Sequence, residues 1–78
     1  MIPEHDCARL VHDLPALGLA AGAIGTVVHA YDNGGGYLVE FFDQRGDTIG
    51  VDFVAADGLR ALTPEENAGL REQRRLAS

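Results

Sequence analysis

Two strand-like runs, Ile24–Tyr31 and Tyr37–Phe42, are separated by Asp32-Asn33-Gly34-Gly35-Gly36. This pairing constrains the fold more tightly than anything else in the chain. The glycines supply the positive φ angles that a tight reversal needs, so the two runs are expected to return antiparallel as a hairpin. The second run is rich in β-branched and aromatic side chains, which suit a pleated surface. A further turn, Asp43–Asp47 around Gly46, leads into Thr48–Phe53. There Ile49, Val51 and Phe53 share one face, and Thr48, Gly50 and Asp52 share the other. Ala55–Gly58 turns the chain again, and Leu59–Leu62 is long enough for a short last strand.

Ahead of the hairpin, residues 7–14 alternate imperfectly, with Ala8, Leu10 and Leu14 opposite Arg9 and Asp13. Pro15 cannot donate to a ladder and ends that run. Ala16–Ala23, with Gly18 and Gly22, reads as a wide loop. Within Ile24–Tyr31 the alternation sets Ile24, Thr26, Val28 and Ala30 opposite Val27, His29 and Tyr31. About five short strands joined by tight turns describe a small closed barrel, because closure removes exposed sheet edges. The expected fold is all-β, an SH3-like barrel over residues 1–62 with a C-terminal helix or frayed tail over 63–78. That tail begins Thr63-Pro64-Glu65-Glu66, which combines a capping hydroxyl, a proline at the first helical position and a glutamate three residues after the cap. Gly69 weakens the helix by ~1 kcal/mol relative to alanine. Only Leu70, Leu76 and Ala68 offer it apolar contacts.

Size and charge narrow the function. A chain of 78 residues is one domain, with no room for a two-lobed enzyme or a dinucleotide fold. Apolar residues make up 46%, and eleven of them are alanine, so the core is thin. Twelve acids face six arginines and no lysine, a formal charge of −6. Residues 1–62 carry the whole of that charge, and the tail is neutral. Such acidity disfavours non-specific binding to nucleic acid or to an anionic membrane, and it favours a protein partner with a basic surface. One cysteine, Cys7, permits no internal disulfide. An unstapled domain of this size fits a reducing compartment, so a cytoplasmic location is expected. The apolar run Leu14–Gly25 is too short to span a bilayer and contains Pro15.

Asp13-Leu14-Pro15-Ala16-Leu17-Gly18-Leu19-Ala20-Ala21-Gly22-Ala23-Ile24-Gly25-Thr26-Val27-Val28 resembles the opening block of a family of very short bacterial proteins of unassigned function. Tyr37-Leu38-Val39-Glu40-Phe41, with Asp43, Gly46 and Thr48-Ile49, resembles that family's second block at the expected spacing. The likeness covers roughly residues 2–62. It implies an SH3-like barrel similar in shape to KOW-type modules and to accessory proteins of nitrile hydratase-like enzymes. It brings no catalytic residues with it. By analogy with other small acidic proteins, it suggests the antitoxin or immunity half of a protein pair.

Gly22-Ala23-Ile24-Gly25 has the spacing of a nucleic-acid clamp but lacks flanking cations, so both glycines are expected to serve a turn. His5, Cys7, His12 and His29 are the soft ligand candidates. A transition-metal site needs three or four converging donors, and no paired spacing provides them. No metal, cofactor or catalytic residue is therefore assigned. Asp43/Asp47 and Asp52/Asp57 lie in or beside turns, where carboxylates ordinarily bond the local backbone. Arg45-Gly46-Asp47 reads as a type I turn ending in glycine. Arg71, Arg74 and Arg75 share a helical face, for which solvation is the ordinary state. Phe41 and Phe42 are consecutive, so one ring fills the core and the other faces outward unless the tail covers it. The expected partner-binding surface is Tyr37, Glu40, Phe42 and Asp43, an outward aromatic among acids. The function expected is a non-enzymatic protein-binding module. The alternative is an accessory or chaperone-like subunit of a metalloenzyme, using Cys7 and His5.

Overall fold

The glycine turn does reverse the chain. Gly34 takes φ +74°, its N–H donates to the Tyr31 carbonyl at 3.0 Å, and the Asn33 side chain accepts the Gly35 N–H at 2.8 Å. The computed structural model describes residues 2–43 and 45–77, the side chains of 71–77 excepted. It contains five strands: β1 (Cys7–Leu10), β2 (Ile24–Ala30), β3 (Gly36–Phe42), β4 (Thr48–Ala55) and β5 (Leu59–Ala61). Single turns of 3-10 helix occupy Pro15–Leu17 and Ala56–Gly58, and helix α1 runs from Pro64 to Ala77. All strand pairs are antiparallel, in the order β4-β3-β2-β1-β5.

That order forces curvature. β4 and β5 lie at opposite ends of the sheet, yet only Ala56–Gly58 separates them in sequence. The sheet must therefore roll round until its ends approach one another. The full closure expected from the sequence is not reached. Among the described residues no ladder joins β4 to β5, and the outer edge of each is left without a strand.

The inner face of the roll holds the core. Val27, Val39 and Phe41 are its largest fully buried side chains, joined by Ile2, Ala8, Leu10, Tyr37, Val54 and Leu59. Gly25 shows how close the packing is. A Cβ there would sit 2.7 Å from Val39 and 2.8 Å from the Phe41 ring, so the β2 backbone itself forms a wall of the core. Leu14, Leu17 and Leu19, from the loop after β1, close the open side.

Several local expectations are corrected. β1 ends at Leu10 rather than running to Leu14: Val11 makes one more bond in register, to the Gly58 carbonyl, and Leu14 pairs instead with Leu19 across the following loop. In β2 the register slips between Val27 and His29, leaving Val28 as an additional residue. This bulge breaks the simple alternation, so Val27 and Ala30 both pair with inward residues, Val39 and Tyr37. β4 extends two residues past Phe53, which brings Val54 into the core.

Helix α1 starts as its sequence predicts. The Thr63 hydroxyl accepts the Glu66 N–H at 3.1 Å, and Glu66 Oε1 accepts the Thr63 N–H at 2.9 Å, a reciprocal capping box. Arg60 on β5 donates both terminal nitrogens to the same carboxylate, at 3.0 and 3.1 Å, and Arg9 on β1 reaches it at 2.9 Å. The helix is thereby tied to the β1–β5 end of the sheet. Leu70 is half-buried, and the expectations for Arg71, Arg74, Arg75 and Leu76 fall outside the described side chains. Among the described residues no helix is long and apolar enough to cross a membrane.

Candidate protein-binding face

The β3–β4 register decides which side chains leave the core. Tyr37 pairs with Val54, Val39 with Asp52 and Phe41 with Gly50, and these face inward. Leu38 opposite Phe53, and Glu40 opposite Val51, therefore face outward. The consecutive phenylalanines divide as their positions require, Phe41 being 1% exposed and Phe42 40%.

Phe42 is not alone. Val51 is 47% exposed and Phe53 48%, and Ile49 and Tyr31 are exposed as well. The register shift between Phe41 and Phe42 makes Ile49 the additional residue of a second bulge. Phe53 lies over Gly36, where a Cβ would meet its Cζ at 2.5 Å. Its ring centroid is 5.8 Å from that of Tyr31, which in turn meets His29 edge-on at 4.6 Å. The outer surface of β3 and β4 is thus an apolar band that the fold leaves uncovered.

Of the four residues expected to bind a partner, the structure brings Glu40 and Phe42 to this face and Asp43 to its end. Glu40 Oε2 accepts the Thr48 hydroxyl at 2.9 Å. Asp43 Oδ1 accepts the N–H groups of Arg45 and Asp47, at 2.9 and 3.0 Å, and so organises the turn. Gly46 there takes φ +87°, and Arg45 pairs with Asp47 at 3.2 Å. Tyr37 must be removed from the surface. Its ring lies in the core, and its hydroxyl accepts the Ile2 N–H at 3.0 Å, which satisfies the one polar atom it buries. Ile49, Val51 and Phe53 take its place. The sequence had grouped these three on one face, and the missing signal was Val54, which shows that the other face of β4 is the buried one.

The remaining candidates are dispersed. Cys7 lies half-buried on β1, its sulfur 3.9 Å from Thr26 Oγ1. His29 Nδ1 sits 3.5 Å from Glu4 Oε1, while His5 and His12 are exposed beyond either end of β1. Among the described residues no three His, Cys, Asp or Glu side chains come together to hold a metal ion. In the Gly22–Gly25 segment only Gly22 takes positive φ; Gly25 is a packing position within β2, not part of a turn. Asp13, Asp57, Leu14 and Phe53 border a cleft of about 170 Å³. That is small beside the ~300–1,000 Å³ of ordinary small-molecule sites.

Among the described carboxyls, that of Glu66 is clearly perturbed. The Arg60 hydrogen bonds and the Thr63 N–H, aided by the charges of Arg60 and Arg9, outweigh desolvation and hold its pKa at about 2, down from 4.5. Two cations and a helix terminus converging on one carboxylate form a structural clasp.

Fold and face together define a small, rolled, five-stranded antiparallel domain with one C-terminal helix and an uncovered apolar surface. The chain belongs to the family described as Domain of unknown function (DUF4926), which matches over residues 4–61. No curated protein and no solved structure matches significantly.

Proposed function

We propose that the protein is a non-enzymatic protein-binding module whose docking surface is the outer face of β3 and β4. One observation carries this reading: Phe42, Val51 and Phe53 stand exposed on the outer side of β3 and β4, with Ile49 exposed at the bulge between the strands, in a domain whose core is otherwise small. An apolar patch rimmed by polar groups is the usual form of an interaction surface. Glu40, Asp43 and Asp47 border it, and with a chain charge of −6 they favour a partner with a basic surface. An antitoxin or immunity-type component acting in the cytoplasm is one form of this proposal. The metalloenzyme-accessory alternative rests on the His5-x-Cys7 pair alone. Strand order and the 3-10 turn before β5 support reading the rolled sheet as an SH3-like barrel.

The test is capture from the source cells by three versions of the purified chain: wild type, Phe42→Ser/Val51→Ser, and Arg9→Ala as a control remote from the face. The proposal expects one protein retained by wild type and by the Arg9 variant but lost with the face variant. Equal retention by all three would remove the β3–β4 face from the account.

A further inference from the structure

The same face has an edge with no strand on it among the described residues, bordered at its Phe53–Ala55 end by the cleft to His12, Asp13 and Leu14. β4 is the longest strand and lies at the end of the sheet. The Ala56 N–H donates to the Gly35 carbonyl at 3.2 Å, which fixes the direction of alternate amides along the strand. By that parity the N–H groups of Asp52 and Val54 point toward β3, and those of Val51, Phe53 and Ala55 point away from it. A second contact agrees. The Phe53 N–H is taken at 2.8 Å by the carboxylate of its own neighbour, Asp52. This amide thus lies at the edge, with an acid folded over it.

Natural sheets protect such edges with charge, lysine above all, or with proline. Here Ile49, Val51 and Phe53 along the edge strand are large, exposed and apolar, and Asp52 on the inner face is the guard. From Asp47 to Gly58 the chain has no basic residue, and its acids recur at Asp47, Asp52 and Asp57. Asp52 lies within β4, and Asp47 and Asp57 flank it in the turns at either end.

We propose that β4 receives an extended basic segment of another protein as an added antiparallel strand, with Asp52 acting as the gate. This deepens the proposed function and rests on it. A lysine or arginine of the incoming segment takes the Asp52 carboxylate, which releases the Phe53 N–H to the segment's backbone carbonyl. Apolar side chains at alternate positions of the segment extend the band of Val51 and Phe53, and further cations meet Asp47 and Asp57. Main-chain pairing supplies affinity, and the alternation supplies specificity.

Charge also selects against a second copy. In the antiparallel β4–β4 register centred on Asp52, that residue meets its own image, and Asp47 and Asp57, which flank the strand, are brought opposite one another. Like charges directly opposed across a ladder destabilise it. The formal charge of −6 and the absence of any basic residue from Asp47 to Gly58 fit a different, basic chain as the occupant.

The test uses the full chain and synthetic peptides of alternating valine and lysine, eight residues long. Two further versions carry N-methyl groups on alternate amides, one for each edge of the peptide. Hydrogen exchange is read at the Val51 and Phe53 amides. The proposal expects the lysine peptide to bind and slow exchange at both. It expects one methylated version to bind about tenfold more weakly or less, through loss of its pairing donors. Asp52→Asn should weaken the lysine peptide and admit a valine–glutamate peptide that wild type rejects. Equal binding of both methylated peptides would overturn strand addition while leaving the protein-binding face in place. Absence of binding at millimolar peptide, or dimerisation of the chain alone through β4, would overturn it outright. The capture experiment decides the face separately.

Discussion

Phe41 and Phe42 are neighbours in sequence and opposites in energy. Phe41 is buried against Val39 and Gly25, whereas Phe42 is 40% exposed. Truncating a core phenylalanine removes its transfer free energy and leaves a cavity, so Phe41→Ala should cost ~3–5 kcal/mol. Phe42→Ala should cost under ~1 kcal/mol, and urea unfolding of the two variants checks the difference. Gly25→Ala runs the opposite way, adding a methyl where Val39 and Phe41 already stand. It should destabilise by ~1–3 kcal/mol through overpacking, measured by the same unfolding curves. That one of the two rings must face outward was legible from strict alternation. The burial of Tyr37 was not, because its hydroxyl is satisfied by Ile2, thirty-five residues away.

Among the elements, helix α1 is tied to the sheet by the Glu66 carboxylate. Glu66 closes its own cap and engages Arg9 and Arg60 on two strands. Its folded pKa lies below the unfolded one, so its contribution is fully present above pH 4.5 and is lost as pH falls toward about 2. Helicity by circular dichroism should fall in wild type across that window. Glu66→Gln should have reduced helicity at neutral pH and should converge on wild type near pH 2. The cap was visible in Thr63-Pro64-Glu65-Glu66 because capping is local. The clasp to Arg9 was not, since it needs β1 and β5 paired. The β-hairpin and the Gly46 turn were legible for the same reason the cap was. The bulges at Val28 and Ile49 depend on how two strands compromise over register, and local composition does not encode that.

At the scale of the whole molecule, charge and shape divide the labour. The helix clasp sits at the β1–β5 end and the apolar face at the β4–β3 end, so removing residues 63–78 should leave that face as exposed as before. Asp52 on β4, with Asp47 and Asp57 at its ends, opposes self-pairing centred on Asp52, and replacing all three with asparagine should produce concentration-dependent dimers by sedimentation. The most direct test of the central claim, that the outer β3–β4 face is surplus to folding, is urea unfolding of Val51→Ser/Phe53→Ser with fluorescence of an apolar dye. The account predicts stability within about 1 kcal/mol of wild type, as for surface substitutions away from the core, and weaker dye binding. A loss of about 3 kcal/mol or more, the range of a core deletion, would place these side chains in the core and contradict it.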